Sequence, residues 1–298
     1  MDNLFVFANK KSMDAQEIKG EPIGFWKGVL QALFKNKITA AAFVLMAIII
    51  LLSLIVPLTG DEQNQNIDMA KQTPSLRYWF GSDQLGRDMW LRIWIGARTS
   101  LLLAAILIFF EVLIGLIYGA VSGYFGGRLD NVLQRFVDIF MNVPYIVTAS
   151  ILILILTQGF WTVILSLGIF GWLGLSKLVR AQVLKFKELE FVLASCSLGA
   201  GHARILFKHC LPNMMSALII SLTFAFPGYI LAEAFLSVLS LGLPIGSISL
   251  GILIIDNIAS LQTEPYLLFI PLAILLLITL SFNIIGNGLR DALDPRAK

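Results

Sequence analysis

The chain has 298 residues, of which 57% are hydrophobic and only 14% charged, with a mean hydropathy of +0.83 and a formal net charge of +3. An ordinary soluble domain carries ~25% charged residues, so this balance excludes one and indicates an integral membrane protein. The small net charge, with basic residues spread along the chain, argues against a nucleic-acid partner and leaves membrane lipid as the bulk environment.

The first 37 residues are polar and mixed in charge, and no cleavable leader is evident. Within them Phe25, Trp26, Val29, Leu30, Leu33 and Phe34 recur at helical spacing, which predicts an amphipathic helix at the membrane surface. The apolar run 38–57 holds no charge and is long enough to cross a ~30 Å hydrocarbon core. Five further spans are predicted at 98–122, 132–157, 160–177, 213–236 and 265–287. Alternating strand patterns are absent, so the expected fold class is an all-α integral membrane protein with six transmembrane helices. The third span opens with Arg135 and Asp138, spaced to pair as the helix enters the headgroups, and Pro144 predicts a kink.

Lys and Arg set the orientation. With both termini in the cytosol, that side holds 17 of the 22 basic residues, and the other side keeps Lys71, Arg77, Arg87, Arg92 and Arg98. Segment 58–97 is then a long external excursion whose tryptophans Trp79, Trp90 and Trp94 suit the outer interface. Segment 178–212 is a cytosolic loop, and 289–298 is a cytosolic tail. The permease domain proper is expected to cover 38–288.

Catalytic constellations are missing. No G-x-x-x-x-G-K-[ST], H-E-x-x-H or G-x-S-x-G pattern occurs, so nucleotide hydrolysis, metalloprotease and serine hydrolase chemistry lack their parts. All Cys and His residues (Cys196, His202, His209 and Cys210) fall within fifteen positions. Zinc is disfavoured, because His209 and Cys210 are adjacent and point about 100° apart on a helix. The alternative reading is two small buried thiols and two imidazoles at the solvent edge. Besides Asp138 at the opening of the third span, two carboxyls stand inside spans: Glu111, suited to a polar helix–helix contact or a substrate contact, and Glu233, suited to pathway lining or interfacial anchoring.

Five blocks carry a resemblance. RYWFGSDQLGRDMWLRIWIGARTSL (77–101) holds a Gly-x-Asp-x-x-Gly-Arg-Asp pattern at Gly81, Asp83, Gly86, Arg87 and Asp88. GYFGGRLDNVLQRFVDIFMNVPYI (123–146) turns at Gly126-Gly127. EFVLASCSLGAGHARILFKHCLPN (190–213) places Ala194, Gly199, His209, Leu211 and Pro212 at the spacing of an "EAA" loop. ILAEAFLSVLSLGLP (230–244) carries Glu233, Ser237, Leu241, Gly242 and Leu243, and FNIIGNGLRDALDPR (282–296) carries Arg290, Asp291 and Asp294. Together they resemble the C-type permease subunit of the dipeptide, oligopeptide and nickel ABC importers, over about residues 76–296.

The resemblance implies a transport subunit and not an enzyme. It would form half of a translocation pathway with a second, similar permease, served by two cytosolic ATPases and an external binding protein. It implies peptide cargo, with nickel or another chelated metal as an alternative, and an ion-gradient-driven transporter as the rival of another class. ATP and magnesium would sit on the partner subunits and no cofactor on this chain. The 184–211 loop would be the ATPase handle, a bent finger of two short helices at 184–198 and 203–210. Glu190, Phe191, Ala194, Gly199, Arg204, Ile205, His209, Leu211 and Pro212 are its candidate residues, with Phe191, Leu198, Ile205 and Phe207 as apolar anchors. Departures from the family pattern stand at Leu193, Ser195, Pro244 and Asn287.

Overall fold

The computed structural model describes residues 25–60, 65–244 and 246–293, and all regular structure among them is helical. The first 24 residues, Ile245 and Asp294 lie outside the described residues. In chain order the helices are α1 (Phe25–Lys35), α2 (Lys37–Ile55), α3 (Met89–Phe125), α4 (Gly127–Met141), α5 (Tyr145–Leu156), α6 (Phe160–Lys187), α7 (Glu190–Ser197), α8 (His202–Val238), α9 (Leu250–Asp256) and α10 (Tyr266–Leu293).

Five segments are long and apolar enough to cross a bilayer: α2 with its short extension to Leu58, α3, α6, α8 and α10. The predicted third span differs. It is the pair α4 and α5, bent by 80° across Asn142–Pro144. Pro144 cannot donate a backbone hydrogen bond and disfavours helical geometry just before it, so the chain breaks there. With α5 only 12 residues long, at ~1.5 Å per residue it rises about 18 Å. The pair therefore makes one broken crossing or a re-entrant loop.

The longest helix contact joins α3 and α6, and glycine makes it possible. Gly115, Gly119 and Gly123 recur every fourth residue and face α6. A Cβ on Gly119 would stand 2.3 Å from the Ser176 carbonyl oxygen, and one on Gly123 would stand 2.8 Å from that of Arg180. Without hydrophobic drive between helices in lipid, such close approach supplies the packing. Asp130 of α4 then accepts two 2.6 Å hydrogen bonds from Arg180 Nε and Nη2, and Ser122 donates to it as well. Lys187 closes the same end by donating to the Gly123 carbonyl at 3.0 Å.

Several expectations are corrected. The second span begins nine residues earlier than predicted, at Met89, so Trp94 is buried in the helix core and not at the interface. Arg135 does not pair with Asp138; Lys177 of α6 does, at 2.6 Å. In α1, Val29 and Leu33 turn inward against α2 and α10, while Leu30 and Phe34 are exposed. The side chains of Phe25 and Trp26 lie outside the described residues.

Candidate functional site

The Gly81–Asp88 signature builds a cap. Asp83 is buried; its Oδ1 accepts from the backbone N–H of Leu85 and of Arg87, each at 2.9 Å, and its Oδ2 accepts from Arg87 Nε at 2.7 Å. Arg92 Nε stands 3.5 Å from the same oxygen. Asp88 caps α3 by accepting from the Trp90 N–H. At Gly86 (φ +72°) a Cβ would fall 1.7 Å from the Asn66 carbonyl oxygen, so no side chain fits. Asp83→Ala is expected to cost about 1–3 kcal/mol, because it removes the acceptor that Leu85 N–H, Arg87 N–H and Arg87 Nε share. A fall in the thermal midpoint of the purified protein, smaller for Asp83→Asn, would show it.

Beside the cap is a cavity of about 370 Å³, with Arg87, Arg92, Gln158 and Asp256 on its wall. Burial pushes the Asp256 carboxyl up, against the pull of Arg92 and Arg87. Glu233 does not reach this opening. It is 0% exposed, held by Ser100 at 3.2 Å, Ser237 at 2.9 Å and Ser249 at 2.7 Å, hydroxyls that tie α3, α8 and the start of α9 together. Neither pathway lining nor an interfacial anchor describes a carboxyl so enclosed. Glu111 does reach an opening, a second recess of about 320 Å³ toward the middle of the helices. There it accepts a 2.9 Å hydrogen bond from Tyr229.

The 184–211 loop is a finger, built differently from the expected pair of short helices. Its first strut is the end of α6. Residues 190–197 form α7, which stops in a Schellman turn: the Gly199 N–H donates to the Cys196 carbonyl at 2.9 Å and the Ala200 N–H to the Ser195 carbonyl at 3.1 Å. Gly199 sits at φ +82°, the conformation L side chains avoid, although no atom lies within 4 Å of where a Cβ would stand.

The second strut is not separate. From His202 the helix runs unbroken into the fifth long span, through a wider π-helical stretch at Ile205–Cys210. There the Leu211 N–H reaches back to the Leu206 carbonyl. Pro212 therefore does not end the finger; the wide turn just before it absorbs its missing N–H.

The finger's inner side is apolar and closed. Val192, Ile205 and Cys210 are buried against Leu175, Val179 and Val183 of α6 and Met214 and Leu218 of α8. Ile205 therefore holds the finger to its own frame and is unavailable as an anchor. The outer side is apolar and open: Leu198 is 89% exposed and Phe207 69%, with Phe191 and Leu193 about half exposed. Glu190, Ala194 and Arg204 are exposed beside them, Leu211 is half-buried and Pro212 exposed. His209 contacts Ser195 through Nε2 at 3.2 Å and joins α7 to α8, while His202 Nδ1 contacts the Tyr124 hydroxyl at 2.8 Å. Cys210 is buried, but Cys196 is exposed, which corrects the expectation of two buried thiols. No three metal-ligating side chains converge among the described residues.

The comparisons decide what this frame is. Residues 112–298 match the family "Binding-protein-dependent transport system inner membrane component". The chain belongs to that family. It is 37% identical over 298 residues to the oligopeptide transport system permease protein OppC of Bacillus subtilis (strain 168), covering 99% of this chain and 98% of the relative. It is 35% identical to the dipeptide transport system permease protein DppC of the same organism, over 100% of this chain and 94% of that one. In fold it is similar to a chain of the MetNI methionine ABC transporter, solved in inward-facing conformations, with a TM-score of 0.53 at 18% identity over 69% of this chain and 98% of that chain.

This family member is thus a multi-pass component of an ABC import system, a transport subunit and not an enzyme. A binding-protein-dependent system implies an ATPase and a binding protein as partners. The ion-gradient alternative falls with that membership.

Sequence reasoning missed three structural residue sets: the Gly115–Gly119–Gly123 ladder, the Asp130–Arg180 clasp and the serine cage of Glu233. The ladder was visible as glycine at every fourth position of an apolar helix. The clasp joins residues 50 positions apart, and in the cage only Ser237 is a sequence neighbour of Glu233, Ser100 being 133 positions away.

Proposed function

We propose that this chain imports oligopeptides or dipeptides as one of two similar membrane subunits, with two ATPases engaging the 184–211 finger. It would lie with both termini in the cytosol, the orientation that keeps 17 of 22 basic residues there. The observation that carries the reading is that the finger is continuous with two membrane-spanning helices. The struts are the ends of α6 and α8, so a displacement of the finger is passed to both spans. Open apolar side chains on a polar loop give an ATPase groove something to hold.

Closure of the ATPases on ATP and Mg²⁺, which they and not this chain bind, would draw the fingers together and turn the pathway outward. Hydrolysis would reset it. Peptide cargo is supported by the transport roles for which the relatives OppC and DppC are named.

The test is growth of a strain lacking this chain and auxotrophic for one amino acid. Growth on that amino acid as a di- or tetrapeptide should be lost and growth on the free amino acid kept. Intact peptide growth with loss of nickel uptake would replace peptide by metal as cargo.

A further inference from the structure

The recess beside Glu111 has features that the coupling role leaves unused. It encloses about 320 Å³ between α3, α6, α8 and the break that separates α4 from α5. Met141 and Val143 bring the unwound stretch to its wall. Irregular backbone at membrane depth survives only where protein or water covers it, and substrate sites of transporters are built at such breaks. Glu111, 6% exposed, stands in this recess without a cation: no Lys, Arg or His lines it. Tyr229 donates to Oε2, whereas Oε1 has no hydrogen-bond partner among the described residues and is not sealed from the recess. An accessible carboxylate oxygen is costly against acyl chains, so this face opens to water or to protein.

The remaining wall is aromatic. Phe140, Tyr145 and Phe170 line the recess that Glu111 reaches, with Phe140 and Phe170 ring centroids 5.6 Å apart. Gly171 is required for the arrangement, because a Cβ there would lie 2.2 Å from the Tyr229 hydroxyl. One carboxylate, aromatic faces and no competing cation suit a single ligand chemistry, a compact organic cation.

We propose that this recess is a transit site for a primary ammonium group, the N-terminus of a peptide or a lysine side chain. Glu111 is its countercharge and Tyr229 holds the carboxylate toward it. The natural ligand rests on the peptide-import reading; the chemistry of the recess does not.

Two measurements separate them. Gly174 lines the recess and has open space at its Cβ, so Gly174→Cys places a thiol there, in a chain whose exposed native thiol is removed by Cys196→Ser. In the purified transporter with its partner subunits, protonated n-propylamine should slow N-ethylmaleimide labelling of that thiol about fivefold or more, and n-propanol should not. Glu111→Gln should abolish the protection and Glu111→Asp, which keeps the charge, should retain it. Equal protection by amine and alcohol, or none by either, overturns the proposal.

In proteoliposomes, Glu111→Gln should lower the maximal import rate of trialanine or of Ala-Lys-Ala about tenfold, with external binding-protein affinity unchanged. Loss for both assigns the N-terminus, and loss confined to Ala-Lys-Ala assigns the lysine. Undiminished import of both peptides overturns the transit role. Failure of the wild type to import either peptide refutes peptide cargo alone, and the thiol result then decides the recess.

Discussion

A chain carrying Leu198→Asp and Phe207→Asp is expected to fold, reach the membrane and lose ATP-driven transport. Both side chains are already largely in solvent, so their replacement costs the isolated subunit within about 0.5 kcal/mol each. In a groove on a partner they would be central apolar anchors, and truncating such anchors costs about 2–4 kcal/mol apiece. At ~1.4 kcal/mol per tenfold, the pair together would weaken docking by about a thousandfold or more. Thermal unfolding of the purified subunit should therefore be unchanged while stimulated ATPase turnover and uptake collapse. Val192→Asp provides the contrast. That residue is buried in the finger's own core, so the change should lower the unfolding midpoint as well as turnover.

Gly119→Leu is expected to prevent the subunit from accumulating in the membrane. Its Cβ alone would meet the Ser176 carbonyl oxygen at 2.3 Å and the Val179 Cβ at 2.7 Å, both parts of a helix that cannot rotate away. Overpacking costs typically about 1–3 kcal/mol. Here α3 and α6 must also separate, which strains the Arg180–Asp130 clasp and the Lys187 bond to Gly123 at the same end. A total above about 3 kcal/mol is a large part of a ~5–15 kcal/mol native stability. Membrane abundance and the detergent unfolding midpoint would both report it. Gly201→Ala, at a glycine with ordinary φ and open space, should change neither.

These two positions also show how far the sequence was legible. Leu198 and Phe207 stood out because polar loops seldom carry such side chains, and Gly199 stood out through the resemblance of its segment to an "EAA" loop. Ile205 was indistinguishable from them, because facing in or out depends on where α6 lies, which spacing within the loop does not say. The first, fifth and sixth spans were readable within a few residues in their apolar cores, since an unbroken run of Leu, Ile and Val has no other stable setting in water.

Helix ends were less readable. Met89–Ala97 reads as amphipathic surface until α9 and α10 cover it, and His202–Cys210 reads as a separate helix until a π turn joins it to α8. Glu233 is the clearest failure. A carboxyl in a span suggests a pathway, but Ser237 one turn on, Ser249 and the distant Ser100 turn it into a structural hub.

The coupling role of the finger is most directly tested by photo-cross-linking in native membranes. Leu198→Cys and Phe207→Cys, each in a Cys196→Ser chain, would carry benzophenone maleimide. Both positions should cross-link to an ATPase subunit, with yields that change between nucleotide-free and ATP-bound states. The same probe at Val132→Cys, exposed on α4 away from the finger, should not. Absence of any ATPase adduct from the finger in both nucleotide states would contradict the coupling role.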